Sequence, residues 1–248
     1  MISVAVRANA KAWLTQGVSD MYQLYIANKN YSSWSLRPWV LLKTLSIPFE
    51  EKLVAFAPGI TQPTFKAFSP TAKVPCLIDG ETTVWDSLAI TEYLAEQHPG
   101  VWPADAKARA WARCAAAEMH SGFGALRNTC AMSCGVRIKM SEIPPALSND
   151  LTRIGELWQE GLTRFGGPFL AGKQFSAVDA FFAPVVFRIR TYQLPVSPEA
   201  AAYCDHLLAQ PAMQHWLQDA LAETWREPGH EEEVANAGEV IEDLRARA

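Results

Sequence analysis

The chain is poor in several features that whole classes of function require. It has five cysteines in 248 residues, an odd number, and no Cys-x-x-Cys pair. That argues against a secreted disulfide framework and for a reducing, cytoplasmic setting. Cys130 and Cys134 stand one helical turn apart with no His or Cys neighbour in sequence, so no metal is expected. Positive charge is also short: Lys and Arg total 22 against 26 Asp and Glu, a formal net charge of −4. Phosphate-backbone binding needs clustered basic residues, so no nucleic-acid partner is expected. Apolar runs are interrupted well before the length of a membrane span, and no membrane is expected either. Residues Met1–Asp20 are mildly basic, with no long apolar core and no small-residue cleavage site. They read as an N-terminal extension rather than a secretory signal.

What the chain does have is enough apolar residue, 49%, for two modest cores. Tyr22–Ile26 reads as a strand, Ser35–Leu45 as a helix and Glu50–Val54 as a second strand. Pro63–Phe68 reads as a short helix or turn, and Cys76–Ile78 with Thr82–Trp85 as a hairpin around Asp79 and Gly80. Ser87–Gln97 reads as a helix. This order, βαβ-α-ββα, predicts a thioredoxin-like α+β domain over 21–97 with a four-stranded mixed sheet. His98–Asp105 holds two prolines and a glycine and reads as a linker. The stretch 106–227 reads as an all-α helical bundle, with helices over Ala106–Thr129, Ala146–Arg164, Val178–Arg190, Glu199–Ala209 and Pro211–Ala222. Val178–Arg190 is almost wholly apolar, the mark of a central buried helix, and Ser176 with Asp179 forms a capping box at its start. The remainder, 228–248, is rich in Glu and Ala and reads as a polar tail forming a helix on the surface.

Three short stretches carry chemistry. Val74-Pro75 leads into an apolar strand, where a shaped turn would leave Val74 backbone groups free to pair with an extended ligand. Across the hairpin, Asp86 and Ser87 stand where a helix N-terminus would receive a carboxylate. Upstream, Ser32, Ser33 and Ser35 crowd the start of the first helix, where serines are otherwise N-caps. In a thioredoxin-like domain this helix start and the proline loop converge.

Together these motifs resemble the cytosolic glutathione S-transferase family, serine type, nearest to its zeta-like and theta-like classes, over roughly Met21 to Trp225. The resemblance implies a glutathione transferase, normally a cytoplasmic homodimer, with glutathione as co-substrate. A serine hydroxyl would hold the glutathione sulfur as thiolate for attack on a small hydrophobic electrophile. Ser33 fits the family spacing to Arg37, and Ser32 is the runner-up. Trp34 replaces the cysteine of the zeta signature and counts among the glutathione-binding residues. Val74, beside Pro75, would pair with the cysteinyl unit, and Lys73 would meet the glycyl carboxylate. Ser87 would take the γ-glutamyl carboxylate, and Asp86 the ammonium. Arg37 is expected in a structural ion pair. His120, Phe123 and Arg127 are candidates for the second-substrate pocket. Two other readings stand beside this one: a glutathione-dependent cis/trans isomerase of the maleylacetoacetate kind, and a non-catalytic binding protein.

Overall fold

Tyr22, Leu24 and Ile26 alternate with Gln23 and Tyr25, and this period of two builds β1 (Tyr22–Ile26) with the first set buried. The computed structural model describes residues 21–59 and 61–247, so the reading of Met1–Asp20 lies outside the described residues. Helix α1 (Ser33–Thr44) carries the chain to β2 (Phe49–Leu53), parallel to β1 with Leu24 opposite Glu51. A 3-10 turn at Pro63–Ala67 precedes β3 (Cys76–Asp79), antiparallel to β1 with Leu77 opposite Leu24. Gly80 takes φ +56 in the turn to β4 (Thr82–Trp85), a region a side chain rarely enters. Helix α2 (Ser87–Ala95) follows, and the mixed sheet has the order β2-β1-β3-β4. This is the thioredoxin-like domain expected. Helix α1 begins at Ser33, two residues earlier than its apolar pattern indicated, which makes Ser33 the first helical residue.

The second domain is built from α3 (Ala106–Ser121), α4 (Gly124–Thr129), α5 (Pro145–Phe165), α6 (Ala177–Tyr192), α7 (Pro198–Leu208) and α8 (Pro211–Ala222). The single helix expected from Ala106 to Thr129 is two. Gly122 is extended and Phe123 is left-handed at φ 56, which breaks the helical ladder and restarts it in a new direction. Helix α6 is buried on all sides apart from Arg190, and α1 packs directly on it and on α8. Trp39 of α1 and Trp216 of α8 are fully buried and meet edge-on at this seam, 5.1 Å apart. Each such side chain contributes about 1.5–3 kcal/mol, so the two domains share one core. At the start of α6 the Asp179 carboxylate accepts from the amides of Ser176 (3.0 Å) and Leu170 (2.9 Å) and from the Tyr203 hydroxyl (3.0 Å).

The reading of 106–227 as purely helical needs an addition, and so does that of 228–248 as a surface tail. Strand β5 (Val136–Met140) lies between α4 and α5, and the tail forms α9 (Pro228–Ala235) and then β6 (Gly238–Asp243), which pairs antiparallel with β5. Val136 and Ile138 are buried while β6 is exposed along most of its length. The β5 alternation was a strand signal; its partner, a hundred residues away, carries no buried face of its own to announce the pairing. Among the described residues no helix is long and apolar enough to cross a membrane.

Candidate active site

The site forms where the end of β1, the start of α1 and the proline loop before β3 meet. Val74-Pro75 is a cis peptide, and the N–H and C=O of Val74 make no backbone hydrogen bond among the described residues. An edge of this kind can accept an added extended strand. A cavity of about 440 Å³ opens beside it, and Trp34, Lys73, Val74, Pro75, Asp86 and Ser87 all line it. All six residues assigned to glutathione by resemblance thus fall on one cavity.

Asp86 takes φ +76 and caps α2, its Oδ1 accepting from the Leu88 amide at 2.7 Å. Strained backbone of this kind in a non-glycine residue is uncommon and concentrates at functional sites. Its Oδ2 lies 3.4 Å from His120 Nε2. Ser87 is buried, and its Oγ accepts from Arg37 Nη1 at 3.4 Å. The ion pair expected for Arg37 is absent among the described residues. Its guanidinium is stacked under Trp34 (4.1 Å) and on Phe181 (4.9 Å). Burial, with Arg127 and Arg188 nearby, lowers its pKa. An aromatic slot stabilises a guanidinium through its ring faces where a carboxylate would otherwise be needed.

The serines separate by what holds them. Ser32 Oγ donates to Ser35 Oγ at 2.7 Å and makes no cap bond to the helix. The Ser33 hydroxyl has no partner among the described residues, and Ser33 lines a second, larger cavity of about 790 Å³, as does Ser32. Trp34, Lys73 and Val74 line both cavities, so the two form one groove. Tyr31, two residues earlier, donates its hydroxyl to Glu231 at 2.6 Å, and Glu231 is in turn held by Arg245. Burial and then Glu231 raise the Tyr31 pKa, so its proton is committed to the tail.

Of the three residues assigned to the second-substrate pocket, Arg127 lines the larger cavity and His120 and Phe123 do not. His120 stands edge-on to Trp34 at 5.3 Å, between Asp86 and Arg37. Burial lowers its pKa against the pull of Asp86. Phe123 is buried at the α3–α4 break, where it packs. Residues not foreseen as lining this cavity include Phe56, Arg188 and, from the tail, His230 and Glu233. His230 stacks on Tyr31 (5.0 Å) and lies tilted against Phe56 (4.7 Å), with Nδ1 2.7 Å from Glu227. Arg188 had a visible signal, a cation within the almost wholly apolar run 178–190. The tail residues had none, because their role depends on the β5–β6 pairing.

The fold and groove define a thioredoxin-like domain that offers a free strand edge, a helix start and an unpartnered hydroxyl to an extended ligand, backed by a helical domain. The family model "Glutathione S-transferase, N-terminal domain" matches residues 31–97, and "Glutathione S-transferase, C-terminal domain" matches residues 104–228. The chain belongs to the glutathione S-transferase family, enzymes whose co-substrate is glutathione. It is 26% identical over 184 residues to a probable maleylacetoacetate isomerase of Caenorhabditis elegans, covering 71% of this chain and 82% of that protein. It is 43% identical over 58 residues to dichloromethane dehalogenase of Methylorubrum extorquens, a match that spans only 23% of this chain and 20% of that one. Among solved structures, a glutathione transferase homolog from Burkholderia GL BGR1 with bound glutathione aligns with a TM-score of 0.60 at 24% identity. That alignment covers 80% of this chain and 97% of the other, and it shows a shared fold.

Proposed function

We propose that the chain is a serine-type glutathione transferase in which Ser33 holds the glutathione sulfur as thiolate for attack on an electrophile in the larger cavity. The observation that carries this reading is the Ser33 hydroxyl: unpartnered among the described residues, at the first residue of α1, on the groove that Val74 lines with backbone groups those residues leave free. Glutathione would lie along that edge, with its γ-glutamyl end toward Ser87, Asp86 and the start of α2, and its glycyl end toward Lys73. A free thiol has a pKa of about 8.5, and lowering it by about two units requires roughly 2.7 kcal/mol. A hydrogen bond to the charged sulfur supplies about 1.5–3 kcal/mol and the helix start about 0.3–1 more. One hydroxyl is therefore sufficient. Ser33 acts as donor throughout. The sulfur forms the new bond to carbon, and the leaving group departs with the electrons of the bond it breaks.

The isomerase reading is favoured by one specific observation, the C. elegans relative that bears that name. There the thiolate would add to a cis double bond, the resulting single bond would rotate, and elimination would return glutathione unchanged. Turnover of a halonitrobenzene and of maleylacetoacetate, measured side by side, separates the two. Conjugate formation supports the transferase; glutathione acting at catalytic amounts with no net consumption supports the isomerase. Failure of both, with glutathione bound but no thiolate near neutral pH, would return the chain to a binding role. We place the active form as a cytoplasmic homodimer, where a reduced thiol pool supplies glutathione; light scattering in solution checks the assembly.

A further inference from the structure

Arg188 is a buried cation on α6, a helix enclosed along its length apart from Arg190. The residue is only 5% exposed, and its Nε donates to the Cys130 carbonyl at 2.7 Å. Its two terminal nitrogens make no hydrogen bond, and no carboxylate lies within ion-pair distance of it among the described residues. It lines the 790 Å³ cavity together with Arg127. Arg127 lies over the Trp34 ring at 4.8 Å and its Nη2 donates to the Met119 and His120 carbonyls, but its buried Nε has no hydrogen-bond partner among the described residues. Buried charge is ordinarily paired, because leaving an ion without a counter-ion costs several kcal/mol. Burial, with Arg127 nearby, brings Arg188 down to about 10, so it remains cationic at neutral pH. Glu233, exposed on α9, is the carboxylate among the lining residues, and it is not paired with either guanidinium. Phe56 and Met132 supply apolar wall beside them.

We infer that the larger cavity selects electrophiles bearing an anionic group, a carboxylate foremost, that sits on the Arg188 guanidinium with Arg127 beside it. The ligand supplies the counter-ion that the described residues do not, and a planar guanidinium matches a carboxylate through paired hydrogen bonds. The apolar body of the electrophile rests on Phe56 and Met132. This inference rests on the transferase reading above for the reaction but not for the binding.

The test uses the full chain, glutathione and two matched probes, 4-chloro-3,5-dinitrobenzoate and its methyl ester. In each, the thiolate attacks the carbon bearing chlorine, a C–S bond forms, and chloride leaves with the C–Cl electron pair. The expected result is an acid-to-ester ratio in kcat/KM that falls about tenfold or more in Arg188→Met and is partly restored in Arg188→Lys. Because a buried substitution can unfold the chain, wild-type binding of unreactive 3,5-dinitrobenzoate and its methyl ester is measured by calorimetry as well. The acid should bind about tenfold tighter or more. Equal binding of acid and ester would overturn the inference, as would an unchanged ratio in Arg188→Met or a raised KM for glutathione in its place. Should neither chloro probe react while the acid binds selectively, the transferase reading fails and the anion site stands.

Discussion

Ser33 opens α1 with a hydroxyl that nothing among the described residues engages, while its neighbour Ser32 is spent on Ser35 and Tyr31 on Glu231. At the scale of single residues the chemistry is decided by such commitments. They were only half visible in the sequence: three serines in four positions announced a hydroxyl-rich helix start, but which one is free depends on side-chain orientation that sequence does not encode. Arg37 is a second case. Its sequence position suggested an ion pair, and the structure gives it Trp34 and Phe181 as flat partners and Ser87 as acceptor. A lysine keeps the charge but not the planar stack. Arg37→Lys is therefore expected to raise the KM for glutathione by about tenfold, through loss of support for Trp34 and Ser87, with kcat changed less. Steady-state kinetics with glutathione varied would read this directly, and an unchanged KM would count against the support role.

At the scale of elements, α6 and the tail place the groove walls. The start of α6 hangs on Asp179, whose carboxyl burial pushes up to about 6 despite the donors around it. Its folded pKa lies above the unfolded value of about 3.8, so its contribution to stability is greatest below that value and is lost as pH rises through about 6. The gap in denaturant midpoint between wild type and Asp179→Asn should consequently widen as pH is lowered from 7 to 4; a constant gap would show that the carboxyl titrates normally. This box was legible from Ser176 and Asp179 alone, because capping is a local rule. The β5–β6 pair was not, because a two-stranded contact between distant segments leaves a pattern on only one of them. The tail it anchors reaches Tyr31, Phe56 and the larger cavity. Burial would raise the Glu231 pKa, but bonds from Arg245 and Tyr31 outweigh it and hold the carboxylate below its usual range. Tail docking is thus supported above about pH 4.5 and weakened as pH falls further. Deleting 228–248 should raise the KM for the electrophile several-fold while leaving that for glutathione within about twofold, since the tail walls only the larger cavity. A glutathione KM that rises equally would place the tail's role elsewhere.

At the scale of the whole molecule, the two domains share one core across α1, α6 and α8, and the groove runs along that seam. The first domain was almost entirely legible because its motifs are local: the Asp79-Gly80 turn, Val74-Pro75 and the Asp86-Ser87 helix start each fix a backbone feature within a few residues. The second-substrate wall was not, because it is assembled from α4, α6 and α9, whose meeting depends on packing between segments up to a hundred residues apart. The central claim, that Ser33 holds the sulfur as thiolate, is tested most directly by ultraviolet titration of the glutathione thiolate bound to the wild type, Ser33→Ala and Ser32→Ala. The account predicts a bound-thiol pKa about two units below that of free glutathione in the wild type and in Ser32→Ala, and a return toward about 8.5 in Ser33→Ala with glutathione still bound. A depressed pKa that survives in Ser33→Ala, or that is lost only in Ser32→Ala, would contradict it.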